Sequence, residues 1–147
     1  MMNNSFHYAF KVKDLDSTRR FYGDILGCRE GRSTDSWIDF DFFGNQLSAH
    51  VGKVDTHVDY CGDVDGISVP VPHFGCLLSK AQFKYVQQKL EAAGMDFIVK
   101  PQDRYTGQPA QQATMFVLDF SGNPLEFKSF EDSSRVYDSS SGVALSR

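Results

Sequence analysis

The stretch FHYAFKVKDLDSTRRFYGDILGC, residues 6–28, reads as a strand, a cap, a helix and a stop. Phe6, Tyr8 and Phe10 alternate with His7, Ala9 and Lys11, the period of two expected of a half-buried strand. Asp14 or Asp16 can cap a helix, because a short carboxylate accepts the free N–H groups of a first turn. Arg20, Phe21, Asp24 and Ile25 then follow helical spacing, with Leu26 completing the apolar stripe. Gly27 ends the helix, since glycine enters the left-handed region at low cost.

Working outward, SWIDFDFF (36–43) alternates as a strand, Gly44-Asn45 signals a turn, and Gln46 to Val51 returns as the second arm of a hairpin. From Gly52 to Val71 the composition shifts to Asp, Gly, Val and Pro and predicts a long loop, of the kind that often binds ligands. The plan then restarts. VPHFGCLL (71–78) predicts a strand, Ser79 an N-cap, and Ala81 to Ala93 a helix with Phe83, Val86, Leu90 and Ala93 on one face and Gly94 as its stop. Phe97 to Val99 predicts a short strand stopped by Pro101, and Gln102 to Gln112 a polar loop. Thr114 to Asp119 and Leu125 to Phe130 predict two strands around the turn Ser121-Gly122-Asn123-Pro124. EDSSRVYDSSSGVALSR, residues 131–147, predicts a loose tail.

Strand, helix and hairpin thus occur twice, with His7 and His73 in equivalent first strands, 66 residues apart. Phe42-Phe43-Gly44-Asn45 even echoes Phe120-Ser121-Gly122-Asn123. A repeat of this length fixes the architecture before any motif does. The expected fold is α+β: two βαβββ modules forming an open, cup-shaped mixed β-sheet barrel with helices outside. Module one covers about residues 4–52, a linker about 53–69 and module two about 70–130, within one domain of residues 4–130. Neither half alone has enough core to stand.

Composition bounds the function. The chain has 147 residues, 41% hydrophobic and 23% charged, with a net charge of -4. That balance suits a folded domain and leaves no basic footprint for nucleic acid or an anionic membrane. No apolar run reaches the roughly 20 residues that span a bilayer. MMNNSFHYAF has neither a basic n-region nor a long apolar h-region, so the expected location is the cytoplasm. Cys28, Cys61 and Cys76 form no CxxC and no paired framework, which argues against disulfides and a zinc knuckle. The 13 Phe, 6 Tyr and 1 Trp suit a sheet-rich core or an aromatic-lined pocket.

Four histidines are present, His7, His50, His57 and His73. His57 lies in the Asp-rich loop near Asp55 and Asp59 and reads as solvated surface. Glu126 sits in NPLEFKSF, an apolar strand, where a carboxylate must be paired, bind a metal or face a cavity. A lone strand histidine is usually structural. Two imidazoles and one carboxylate gathered by a pseudo-symmetric barrel instead suit a divalent metal with open positions.

These residues resemble the vicinal oxygen chelate superfamily: glyoxalases, bleomycin and fosfomycin resistance proteins, and extradiol ring-cleaving dioxygenases. The resemblance is carried by FHYAFKVKDLDSTRRFYGDILGC, IDFDFFGNQLSAH, VPHFGCLL and TMFVLDFSGNPLEFKSF, over about residues 5–130. It implies metal ligands on the first and last strands of each half, where His7, His73 and Glu126 match. Aligning the two Gly-Asn turns sets Ser48, not His50, against Glu126, with His50 one step along the same face. Glyoxalase-like members place a glutamate or glutamine near there; this chain does not. Extradiol dioxygenases are more similar, with two histidines and one glutamate on the metal and a further histidine for proton transfer. His50 is the candidate for that role, with a fourth ligand or a structural histidine as its other readings.

Arg104 and Tyr105, in PQDRYTGQP, are candidates to bind a substrate carboxylate and a developing oxyanion, against a plain reading as exposed loop residues. The resemblance therefore implies a metal-dependent dioxygenase with a small-molecule substrate of adjacent oxygens. Fe(II) is the first metal, and Mn, Zn or Ni also suit the donors. A glyoxalase-like lyase or isomerase is the alternative, and a binding protein without turnover is a third class. A homodimer is expected, because superfamily sheets gain cover from a second copy.

Overall fold

A computed structural model describes residues 4–54 and 58–139. His57 and Asp55, read above as solvated surface, lie outside the described residues, as does the end of the expected tail, 140–147. The chain forms two compact units, Met1–His57 with Asp119–Asn123, and Val58–Leu118 with Pro124–Arg147. Most elements are strands, arranged in sheets that do not close. No helix among the described residues is long and apolar enough to cross a membrane.

The first unit holds β1 (His7–Val12), β2 (Arg29–Ser33), β3 (Trp37–Phe42) and β4 (Asn45–Val51) in the order β1-β4-β3-β2. β1 runs parallel to β4, and β3 antiparallel to both its neighbours. Between β1 and β2 a short α-helix, α1 (Leu15–Thr18), continues directly as π-helix over Arg19–Ile25. Asp14 is the N-cap, its side chain accepting from the Ser17 N–H at 2.7 Å. Phe21 and Tyr22 are fully buried with Ile38, Phe40 and Phe42 of β3. Tyr22 donates its hydroxyl to Asp119 Oδ2 at 2.7 Å. Asp119 also accepts from the backbone of Ser121 and Asn123, so its carboxylate holds the 119–123 turn. Burial, then the Asp119 charge, push the Tyr22 hydroxyl far above its ordinary pKa, so it remains a donor. β2 was not foreseen. Its residues REGRS are all exposed, so an edge strand carries no apolar alternation to read.

The second unit holds β7 (Phe74–Leu77), β8 (Phe97–Arg104), β9 (Gln112–Leu118) and β10 (Pro124–Phe130) in the order β7-β10-β9-β8. The pairing repeats that of the first unit: β7 is parallel to β10, and β9 antiparallel to β10 and β8. The helix α2 (Lys80–Ala92) is capped by Ser79 and buries Phe83, Val86 and Leu90. The strand expected to stop at Pro101 runs on to Arg104, because β8 is an edge strand and bulges between Val99 and Gln102.

The expected loop 52–71 also needs correction. It contains a hairpin, β5 (Asp59–Val64) and β6 (Ile67–Val71), turned at Asp65-Gly66, both with positive φ. Val64 and Val69 pack against Val99 and Phe116, and this burial gives a polar, Gly-containing segment its structure.

Candidate functional site

β9 and β10 set the site. Glu126 is paired with Phe116 and Lys128 with Thr114, so these four side chains share one face, opposite Leu125 and Phe127. Leu125 and Phe127 are fully buried, which fixes the register and turns Glu126 to the other side. Glu126 is 8% exposed. Its Oε2 accepts from Thr114 Oγ1 at 2.5 Å, and its Oε1 faces His73 Nε2 at 3.3 Å and Lys128 Nζ at 3.8 Å. Gly75 permits this arrangement: a Cβ there would stand 1.5 Å from the Glu126 carbonyl oxygen.

His73 does not lie on a strand as expected. It follows the Val71-Pro72 bond in the bend between β6 and β7, because Pro72 offers no N–H to a ladder. The bend carries the ring to Glu126. Nδ1 lies 2.6 Å from the Pro70 carbonyl oxygen, and the ring meets Phe116 edge-on at 4.9 Å. With Nδ1–H donated to that carbonyl, Nε2 is the nitrogen left to face the carboxylate, donating to it when the ring is protonated and offering a lone pair to a cation when it is neutral.

The two groups tune each other. The hydrogen bond to Glu126 raises the His73 pKa against the opposing effect of burial, and the Pro70 carbonyl adds to the rise. Burial alone would raise the Glu126 pKa, but bonds from His73 and Thr114 and the Lys128 charge together hold it below the ordinary value. The pair favours a proton between its two partners, and its spacing also suits a cation. Two donors bound to one ion at about 2.0–2.2 Å, at angles between square and tetrahedral, stand about 2.8–3.6 Å apart, and the observed separation is 3.3 Å. The fixed tautomer, with the distal nitrogen bonded to a backbone carbonyl, is the arrangement seen for metal-ligating histidines. The pair therefore fits a divalent metal. Among the described residues no group of three or more His, Cys, Asp and Glu is gathered to hold one.

In the first unit, His7 opens β1, exposed and opposite Gln46, and His50 lies exposed on β4 between Lys11 and Trp37. Ser48 takes the place in β4 that Glu126 takes in β10: its partners are Ala9 and Asp39, where those of Glu126 are Gly75 and Phe116. Ser48 donates to Asp39 Oδ1 at 2.7 Å. Asp39, which sequence reasoning passed over as one acid in an alternating strand, is buried there beside Gln46 and Arg32. In the second unit, Arg104 is the last residue of β8 rather than part of a free loop. Its Nε donates to Asp65 at 3.2 Å, and its guanidinium stacks on Tyr105, whose φ is 54°. Thr114, Phe116 and Lys128 were not foreseen; the period-two alternation around Glu126 is the signal that finds them.

The chain is similar to known proteins. Residues 5–127 match the family model of the Glyoxalase/Bleomycin resistance protein/Dioxygenase superfamily. No curated protein matches the chain. A crystal structure of a glyoxalase/bleomycin resistance protein/dioxygenase from Alicyclobacillus acidocaldarius is similar at 30% identity and a TM-score of 0.73, covering 93% of this chain and 98% of that one. A fosfomycin resistance protein, FosX, from Listeria monocytogenes shares the fold at 17% identity and a TM-score of 0.63, with 92% and 100% covered. A virulence protein from Salmonella typhimurium does so at 18% and 0.60, with 88% and 98% covered.

Proposed function

Since the chain belongs to the glyoxalase/bleomycin resistance protein/dioxygenase superfamily, we propose that it is a metal-dependent enzyme of the extradiol ring-cleaving type. His73, Glu126 and His7 would hold one divalent ion, Fe(II) first, and the substrate is a small molecule with two adjacent oxygens. The observation that carries this reading is the His73–Glu126 pair, with Nδ1 tied to Pro70 and a donor separation of 3.3 Å. When bound, such an ion chelates the two substrate oxygens and lowers the pKa of a bound hydroxyl.

The ring-cleaving assignment rests on the donor set. Ser48 occupies the position equivalent to Glu126, and the nearby acid, Asp39, is engaged by Ser48 and Gln46. Without a second carboxylate donor, the proposed set of His7, His73 and Glu126 would be two imidazoles and one carboxylate, donors that suit a metal with open positions. In this reading Pro70 fixes the His73 tautomer, Thr114 orients Glu126, and Phe116 supports the imidazole ring. His50 moves a proton, Tyr105 bonds a developing oxyanion, and Arg104 binds a substrate carboxylate through the guanidinium nitrogens not given to Asp65. The protein acts as a homodimer in the cytoplasm.

Metal analysis of freshly purified protein, with spectra after anaerobic addition of catechol, tests the proposal. One metal per chain and a catecholate absorption band support it. A protein that takes up no divalent ion refutes it, and one that holds metal yet opens no catechol ring in air refutes the ring-cleaving assignment.

A further inference from the structure

Lys128 lies two residues beyond Glu126 on β10, so the pleat returns its side chain to the same face. Its ammonium stands 3.8 Å from Oε1, the oxygen that also faces His73, while Thr114 holds Oε2. The side chain is 33% exposed and lines, with His73, Cys76 and Glu126, an open cavity of about 220 Å³. An engineered cavity of about 150 Å³ accepts benzene, so this space suits one ring with a small substituent.

The charges pose a problem that a substrate would solve. Without a ligand, Lys128 compensates the carboxylate. A divalent ion on His73 and Glu126 takes that role over, and a second cation is then left a few ångströms away in a partly desolvated cavity. Like charges repel more strongly there than in water. An anion seated between ammonium and metal relieves both. The first unit shows that the position is not constrained to lysine by the fold: His50 pairs with Trp37 as Lys128 pairs with Thr114.

We infer that Lys128 is a specificity-determining residue that receives an anionic group, a carboxylate, carried by the substrate beside its two adjacent oxygens. The inference rests on the metal-dependent reading above and names its substrate class.

The test uses the full chain loaded with Zn(II), which does not turn over, and calorimetric titration with catechol, 2,3-dihydroxybenzoate and 3,4-dihydroxybenzoate. Wild-type protein should bind one of the dihydroxybenzoates roughly 10–100-fold more tightly than catechol, the range of a hydrogen bond to a charged group. Lys128→Met should lose most of that preference, Arg104 supplying the remainder, while binding catechol as before, and Lys128→Arg should keep most of it. Zn(II) affinity in Lys128→Met should equal or exceed that of wild type, because a like charge is gone. Equal binding of all three probes by wild type, or binding of none, overturns the inference without touching the metal site. Weakened Zn(II) binding in Lys128→Met also overturns it, by making the lysine a support of Glu126. Failure of wild type to bind Zn(II) removes this inference and the metal-dependent reading together.

Discussion

Replacing Glu126 with Gln keeps the shape of the side chain and removes its charge, so it isolates what the carboxylate does. Without metal, the variant loses a charge-assisted contact to His73 and the charge that accepts from Thr114 and attracts Lys128. Hydrogen bonds to charged groups contribute about 1.5–3 kcal/mol each. Because His73 and Lys128 are partly exposed, the net cost is about 2 kcal/mol. For a chain of this length that is roughly 4–8 °C in Tm.

The cost depends on pH in a direction the pair fixes. The folded pKa of His73 is raised above its ordinary 6.5, so its contribution is whole below about 6.5 and is lost as pH rises through the raised value. The folded pKa of Glu126 is lowered below its ordinary 4.5, so its contribution is whole above about 4.5 and is lost as pH falls through the lowered value. The pair is therefore at full strength between about pH 4.5 and 6.5. Thermal melts of both proteins in EDTA at pH 5.5 and pH 8.5 measure this. The gap between wild type and Glu126→Gln should be wider at pH 5.5. An equal gap at both pH values, or none at pH 5.5, would refute the pairing. A divalent ion at 100 times its Kd should then stabilise wild type by about 2.7 kcal/mol and leave the variant nearly unmoved.

Three further outcomes follow from the same geometry. His50→Gln should keep its metal and lose roughly 10²–10⁴-fold in turnover, the contribution of a positioned acid or base; loss of metal would make His50 a ligand and favour a lyase. Tyr22→Phe removes the buried bond to Asp119 at 2.7 Å and should cost about 1.5–3 kcal/mol in urea unfolding, and an unchanged midpoint would show that Asp119 is held without it. Gly75→Ala places a methyl 1.5 Å from the Glu126 carbonyl oxygen. β7 must then move, so the variant should be destabilised by at least about 3 kcal/mol and bind metal poorly, whereas wild-type melting would refute the close approach.

The repeating plan was legible in the residues alone. Alternation marked β1 and β3, and the turn signals at Gly44-Asn45 and Ser121-Gly122-Asn123-Pro124 marked off β4, β9 and β10. Ser79 and Asp14 marked helix starts because unpaired first-turn N–H groups need acceptors, and Gly27 and Gly94 marked stops, with φ of 75° and 69°. Glu126 was legible as a carboxylate flanked by apolar residues, and His73 as the echo of His7.

Tertiary structure decided the rest. β2 has no buried face, so only its pairing with β3 makes it a strand. The hairpin of β5 and β6 owes its order to Val64 and Val69 meeting Val99 and Phe116, residues distant in the chain. The bend at Pro72 brings His73 Nε2 to face Glu126, and the β9–β10 register brings Thr114 and Lys128 to the same carboxylate. No local pattern encodes these meetings, because a period of two says which face a side chain takes but not what waits there.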